Sequence, residues 1–249
     1  LHDGAVIIRN DRIAAAGLRW SVVESLPVSE AIKLRTADCA RHIENYRQSL
    51  RNLAACGIRT VCYNFMPVLD WARTDLHYAN VRGTESMHFD YDRFAAFDIH
   101  ILRRPGAAGD YPSEVCERAA ALAAGMSAAE REELAHNIIV VTQGFINGTV
   151  GDSEDYKQVF LRYLARYDGI GPDRLREHLA AFLNEVCPTA REAGVNLCIH
   201  PDDPPFPLLG LPRIASTIED FRWILRQYDD PVNGVTFCAG SLSARPDND

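Results

Sequence analysis

The stretch Asn196-Leu197-Cys198-Ile199-His200-Pro201-Asp202-Asp203-Pro204-Pro205 decides how this chain is read. Four residues of strand character run into a histidine, and two carboxylates follow at once. Pro201, Pro204, Pro205 and Pro207 have fixed φ and no N–H, so the loop neither continues the strand nor starts a helix. A ring nitrogen and two acids are thus held at the mouth of a strand with little freedom. That arrangement suits a metal or an anionic substrate. A buried histidine at a strand end, with solvated aspartates on a turn, fits the same spacing.

Outward from this stretch the pattern repeats. Gly-Ile-Arg-Thr-Val and Gly-Val-Asn-Leu-Cys lead in the same way from a helix, through glycine, into an apolar strand. Strands are expected over 18–25, 59–65, 196–200 and 234–238, and they end in Glu24, Asn64, His200 and Cys238. Helical spacing is expected over 5–16, stopped by Gly17, and over 39–56, with Ile43, Tyr46, Leu50, Leu53 and Ala54 on one face and Gly57 as the stop. Residues 90–102 and 112–135 also read as helical, and Ser127 with Glu130 forms a capping box. Residues 140–155 read as a loop. Helices resume over 155–167 and 173–193, and Ser216 or Thr217 caps another that runs to about Tyr228. The loop Asp70–Asp75, with Trp71 and Arg73, could line a pocket or be solvated.

Strands that alternate with helices imply βα units on a parallel sheet with right-handed crossovers. No GxGxxG or P-loop follows any strand, which weakens a nucleotide-binding doubly wound fold. Polar residues at successive strand ends match a barrel whose site lies on its C-terminal face. An eight-stranded barrel needs about four more strands than the pattern supplies. The expectation is therefore a smaller open sheet or part of a longer polypeptide. Residues 66–170 are too long for an ordinary crossover and read as a helical insertion within a single incomplete α/β domain spanning 1–249.

The totals narrow the class. The 249 residues suffice for one large domain, and 47% hydrophobic with 24% charged residues is ordinary for a globular protein. A formal charge of -8 without a basic run argues against a nucleic-acid partner. No apolar stretch reaches the roughly 20 residues of a membrane span, and residues 1–20 lack a signal-peptide layout. Seven scattered cysteines without a CxxC pair fit a reducing cytoplasm better than a disulfide framework.

Four segments carry a resemblance: WSVVES (20–25), RNLAACGIRTVCYNFMPVLDWARTDL (51–76), HPDDPPFPLLGLPRIASTIED (200–220) and FCAGSLSARPDND (237–249). Together they closely resemble the mannonate dehydratase family over more than a third of the chain. The resemblance implies a TIM (β/α)8 barrel of the xylose-isomerase-like type, dependent on a divalent metal, Mn2+ or Fe2+. It further implies dehydration of D-mannonate to 2-dehydro-3-deoxy-D-gluconate in hexuronate breakdown, by a cytoplasmic homo-oligomer. In that family a histidine, a cysteine, a second histidine and an aspartate hold the metal. The first two match His200 and Cys238, and the other pair belongs to motifs beyond the point where this sequence stops. Only Leu1-His2-Asp3 resembles the end of the first barrel strand, so a longer protein is expected.

Dehydration of a sugar acid removes the proton α to a carboxylate and expels the β-hydroxyl, so a cation beside the developing ene-diolate is needed. Imidazole and thiolate suit iron(II) or zinc, whereas manganese prefers oxygen. Taken alone, Cys238 reads as an inert core cysteine; paired with His200 and the resemblance, ligation is the better reading. Asp202 and Asp203 could orient the His200 ring or handle protons, or could simply be solvated. Glu24 and Asn64 could bind substrate hydroxyls or complete a polar rim. Arg213 could pair with a carboxylate of substrate or protein, or sit at a helix entry. The remaining histidines show no ligand spacing. Two other readings stay open: a sugar isomerase on the same barrel, and a domain that binds without turnover.

Overall fold

The computed structural model describes residues 20–142 and 155–248. The expected helix over 5–16, the Leu1-His2-Asp3 segment, most of the 140–155 loop and the last residue, Asp249, lie outside the described residues. The chain divides into two compact units. One comprises Leu1–Pro67, Ile170–Phe206 and Pro212–Asp249; the other comprises Val68–Gly169 with Pro207–Leu211.

The first unit is a parallel α/β sheet. Its strands are β1 (Val22–Val23), β2 (Thr60–Tyr63), β5 (Asn196–Ile199) and β6 (Asn233–Val235), hydrogen-bonded in the order β1-β2-β5-β6. The register pairs Val23 with Val61, Cys62 with Cys198, and Cys198 with Gly234, all parallel. Strand neighbours in chain order within this unit are neighbours in the sheet, as in one arc of a (β/α)8 barrel. Helices α1 (Glu30–Leu34), α2 (Cys39–Ala55), α7 (Pro172–Ala193), α8 (Ile218–Gln227) and α9 (Ala239–Leu242) connect or follow the strands.

Side chains alternate across the strands. Val23, Val61, Tyr63, Leu197 and Ile199 are buried on the helix-covered face. There Phe182 of α7 packs on Tyr46 of α2, Tyr63 and Phe65, with ring centroids 5.1, 5.5 and 5.7 Å away. Pro172 opens α7, where a missing N–H costs nothing, and Gly194 ends it at φ +67, a conformation glycine adopts freely. Arg35 forks onto Glu185 of α7 at 2.7 and 2.8 Å, fastening α1 to that helix.

The opposite face carries Thr60, Cys62, Asn196 and Cys198, and it is concave. Cys62 Sγ lies 3.3 Å from the Thr236 hydroxyl although β5 runs between their strands. Flat neighbouring strands stand about 4.8 Å apart, so side chains two strands apart meet only on the inside of a curved sheet.

The second unit contains β3 (Asp75–Ala79) and β4 (Glu85–His88), an antiparallel hairpin, then α3 (Tyr91–Ala96), α4 (Ser113–Gly125), α5 (Ala128–His136) and α6 (Tyr156–Ala165). The Ser127–Glu130 capping box forms as expected. Its core joins Ala95, Ala96, Tyr111, Val115, Ala119 and Ala123. After α3 the chain passes into a π-helical turn, Phe97–Leu102, which buries Asp98 completely. Arg104 reaches both oxygens of that carboxylate at 2.9 and 2.7 Å, and the Tyr111 hydroxyl donates to it at 3.0 Å. Burial nevertheless pushes the Asp98 carboxyl above its ordinary value, outweighing Arg104.

Several elements differ from expectation. The described part of the first strand is only Val22–Val23, and β6 ends at Val235. Cys238 therefore stands past the strand, as the residue that precedes α9. Helix α1 and the β3–β4 hairpin were not foreseen from the sequence, and 97–102 is π-helical instead of α-helical.

Candidate functional site

Of the four residues singled out from the sequence, Glu24, Asn64 and His200 directly follow the last residues of β1, β2 and β5, and Cys238 lies three residues past β6. Val22 and Val23 lie level with Thr60 and Val61, so Glu24 lies level with Cys62. Tyr63 pairs with Ile199, so Asn64 and His200 are level, and the His200 N–H donates to the Tyr63 carbonyl at 2.9 Å. Ile199 pairs with Val235, and the Thr236 N–H donates to the Ile199 carbonyl at 2.9 Å. Counted by twos from Val22, Cys62 and Cys198, Glu24, Asn64 and His200 belong to the series that faces the concave side.

His200 is the best-defined member. Its Nδ1 lies 2.8 Å from the Pro201 carbonyl oxygen. A carbonyl only accepts, so Nδ1 carries a proton and donates, and in the neutral ring the lone pair is on Nε2. Nε2 in turn faces Glu24 Oε1 at 3.8 Å, across the intervening strand β2. The imidazole side chain is 15% exposed and the Glu24 side chain 63% exposed. The Nδ1 proton goes to a backbone carbonyl, where the sequence suggested the neighbouring carboxylates.

Cys238 is a free, half-buried cysteine, and the Ser241 hydroxyl donates to its sulfur at 3.3 Å. The sulfur acts as an acceptor here, and its other lone pairs are the ones a metal would take. Cys198 lies deeper, and burial raises its thiol above the ordinary value.

Asp202 is buried within the loop. Its Oδ2 accepts from the Ala215 N–H at 2.7 Å and from the Ser216 hydroxyl at 2.8 Å, while its own N–H donates to the Ala215 carbonyl at 2.9 Å. Arg213 Nη1 stands 4.0 Å from Oδ1, with both side chains buried. Burial raises the Asp202 carboxyl above its ordinary value, against the downward pull of Arg213 and those donors. Asp202 and Arg213 thus clasp the two ends of the loop that follows His200. Arg213 faces a carboxylate of the protein. Asp203 is half-buried, and its N–H lies 3.4 Å from the sulfur of Met66.

Further residues hold the same loop. Arg245 donates to the Pro205 carbonyl at 3.1 Å, and Asn248 donates to the Ser216 carbonyl at 2.9 Å. Buried Lys33 donates to the Met66 carbonyl at 2.8 Å, tying α1 to the segment after Asn64. The sequence reading did not single these out, although Arg245 and Asn248 lie inside its fourth matching segment. The loop with Trp71 belongs to the second unit, where Arg73 lies over the indole ring, 5.2 Å from its centroid.

Whether these residues fit a divalent metal turns on their donors. An imidazole nitrogen that bears the lone pair of the neutral ring and a sulfur that accepts a hydroxyl hydrogen are suitable donors for a borderline metal. His200 and Cys238 are thus suitable donors by chemical type, and among the described residues they belong to no group of three such side chains that could hold a metal. Among the same residues no helix is long and apolar enough to cross a membrane.

Residues 4–249 match the family model described as D-mannonate dehydratase (UxuA). The chain is 51% identical over 242 residues to mannonate dehydratase 1 of Agrobacterium fabrum, covering 97% of this chain and 58% of that protein. It is 48% identical over 246 residues to mannonate dehydratase of a Marinomonas species, covering 98% of this chain and 61% of the relative. The crystal structure of mannonate dehydratase from Streptococcus suis serotype 2 superimposes with a TM-score of 0.66 at 33% identity, over 95% of this chain and 52% of that one. The chain thus spans between half and two thirds of the length of these relatives. Matched by the family model over residues 4–249 and by these relatives over nearly its whole length, the chain belongs to the D-mannonate dehydratase family.

Proposed function

We propose that the protein carrying this chain is a hydro-lyase that converts D-mannonate to 2-dehydro-3-deoxy-D-gluconate in hexuronate breakdown. The observation that carries the reading is the His200 contact: Nδ1 donates to the Pro201 carbonyl at 2.8 Å, so in the neutral ring Nε2 is the nitrogen that can bind a metal. His200 and Cys238 hold a divalent cation, Mn2+ or Fe2+. When bound, that cation supplies a Lewis acid for the substrate carboxylate and the charge that develops at the α-carbon.

The other residues divide the remaining work. Asn64 and Glu24, at the ends of β2 and β1, contact substrate hydroxyls. Asp202 and Arg213 keep the 201–216 loop rigid, so that His200 holds one orientation through the reaction. Asp203 handles protons, because Asp202 already accepts two hydrogen bonds within the protein. The protein works in the cytoplasm as a homo-oligomer, and 1–249 forms one incomplete barrel domain that carries the 66–170 insertion.

The test is incubation of the full-length protein with Mn2+ and D-mannonate, followed by mass analysis. A product lighter than mannonate by one water, reactive as a 2-keto acid, is expected. An isomer of unchanged mass would replace the dehydratase reading with isomerisation. Recovery of unchanged mannonate, with other sugar acids bound and released intact, would favour a binding role without turnover.

A further inference from the structure

The loop that follows His200 is held in its middle as well as at its clasped ends. Residues Pro207–Leu211 belong to the second unit, although Phe206 before them and Pro212 after them belong to the first. They form a tight turn in which the Leu211 N–H donates to the Leu208 carbonyl at 2.8 Å. Both central residues have positive φ, Leu209 at +56° and Gly210 at +72°. Leucine keeps that conformation only where its surroundings enforce it, and Leu208, Leu209 and Leu211 are all buried. Gly210 lies against the guanidinium of Arg104. A β-carbon at position 210 would stand 3.1 Å from Arg104 Nη1 and 3.5 Å from Asp110 Oδ2, the first inside ordinary van der Waals contact. The guanidinium is pinned: Asp98 accepts from its Nε and Nη2 at 2.9 and 2.7 Å, and Asp110 accepts from Nη2 at 2.6 Å. The π-helical turn that buries Asp98 thus builds a fixed seat for a residue without a side chain.

We propose that Arg104 is a positioning residue, whose pinned guanidinium seats the Pro207–Leu211 turn and thereby fixes the place of Asp203. Pro204, Pro205 and Pro207 have fixed φ, so a constraint at the turn reaches back along the chain to Asp203 with little slack. It goes no further, because the bonds of Asp202 to Ala215 and Ser216 clasp the chain between Asp203 and His200. The seat therefore acts on the acid and leaves the histidine alone. The inference rests on the proposed function for the proton-handling role of Asp203, and goes beyond it in naming what holds that residue.

Two substitutions at position 210 of the full-length protein test the seat. Gly210→Ala resists the positive φ and adds a β-carbon, whereas Gly210→Asn accepts the φ and adds the same β-carbon against Arg104. Circular dichroism shows that each is folded; if Gly210→Ala is not, Gly210→Asn carries the test. Amide hydrogen exchange over 206–211, Mn2+ content, and kcat and KM for D-mannonate are then compared with wild type. In both variants exchange is expected to quicken and kcat to fall at least about tenfold, with KM and Mn2+ content unchanged. Wild-type exchange and kcat in Gly210→Asn would overturn the role of Arg104, since the added β-carbon would then do no harm. Faster exchange with wild-type kcat would leave a turn seated on Arg104 and overturn its positioning of Asp203. Wild type without turnover would overturn the proposed function and the positioning with it, while unchanged exchange in the variants overturns the seat at any level of activity.

Discussion

At the scale of single residues, buried charge behaves in this chain against simple intuition. Asp98 is completely buried and forked by Arg104, yet its carboxyl sits above the ordinary value of 3.8 because desolvation outweighs the ion pair. An acid whose native value is raised holds its proton longer when folded than when unfolded. Its stabilising contribution is full below 3.8 and is lost as pH rises through the native value. In urea titrations, wild type should lose stability relative to Asp98→Asn as pH climbs from 3.8 through that raised value. The slope of the difference carries the information, since the substitution also changes the Arg104 contact by a constant amount. A difference that grew in favour of wild type with rising pH would show that the Arg104 pair dominates.

The same scale shows what letters reveal and what they hide. The strand-end places of His200, Asn64 and Glu24 were legible because a strand of period two, stopped by a polar residue or proline, fixes which side chain stands at its end, whereas Cys238 stands past β6. The acceptor that holds His200 Nδ1 is a backbone carbonyl, which no letter records. Asp202 and Asp203 looked alike in sequence. Only the return of the chain to Ala215 and Ser216 separates a loop clasp from an acid near the site.

At the scale of elements, α2 and α7 were readable from end to end. Both carry a continuous apolar stripe and end near a glycine. Their shared contact with the sheet runs through Phe182, which touches Tyr46, Tyr63 and Phe65 and has no exposed surface. Phe182→Ala should cost about 3–5 kcal/mol in a denaturant titration. A loss below about 1 kcal/mol would mean that the helix layer does not depend on this ring. The missed elements have physical reasons. Helix α1 is five residues long, too short to show a helical period. The β3–β4 hairpin is mostly exposed on both sides, so its strands lack the apolar alternation that marks a half-buried strand. The expected last strand overruns β6 because Thr236-Phe237 is apolar enough to continue it, although Phe237 is 84% exposed.

At the scale of the whole molecule, the parallel order β1-β2-β5-β6 was legible from alternating strands and helices. Its curvature was not, because that property shows only in contacts that skip a strand: Cys62 with Thr236, and Glu24 with His200. Curvature gathers residues distant in sequence at one mouth. The central claim is that His200 and Cys238 together hold the cation on which turnover depends. The most direct measurement is metal content per chain, by inductively coupled plasma mass spectrometry, alongside D-mannonate turnover in His200→Ala and Cys238→Ala of the full-length protein. The expected result is that metal content and turnover fall together in both variants while the fold is retained. Full metal content with full turnover in either variant would contradict the assignment of that residue and the account built on it.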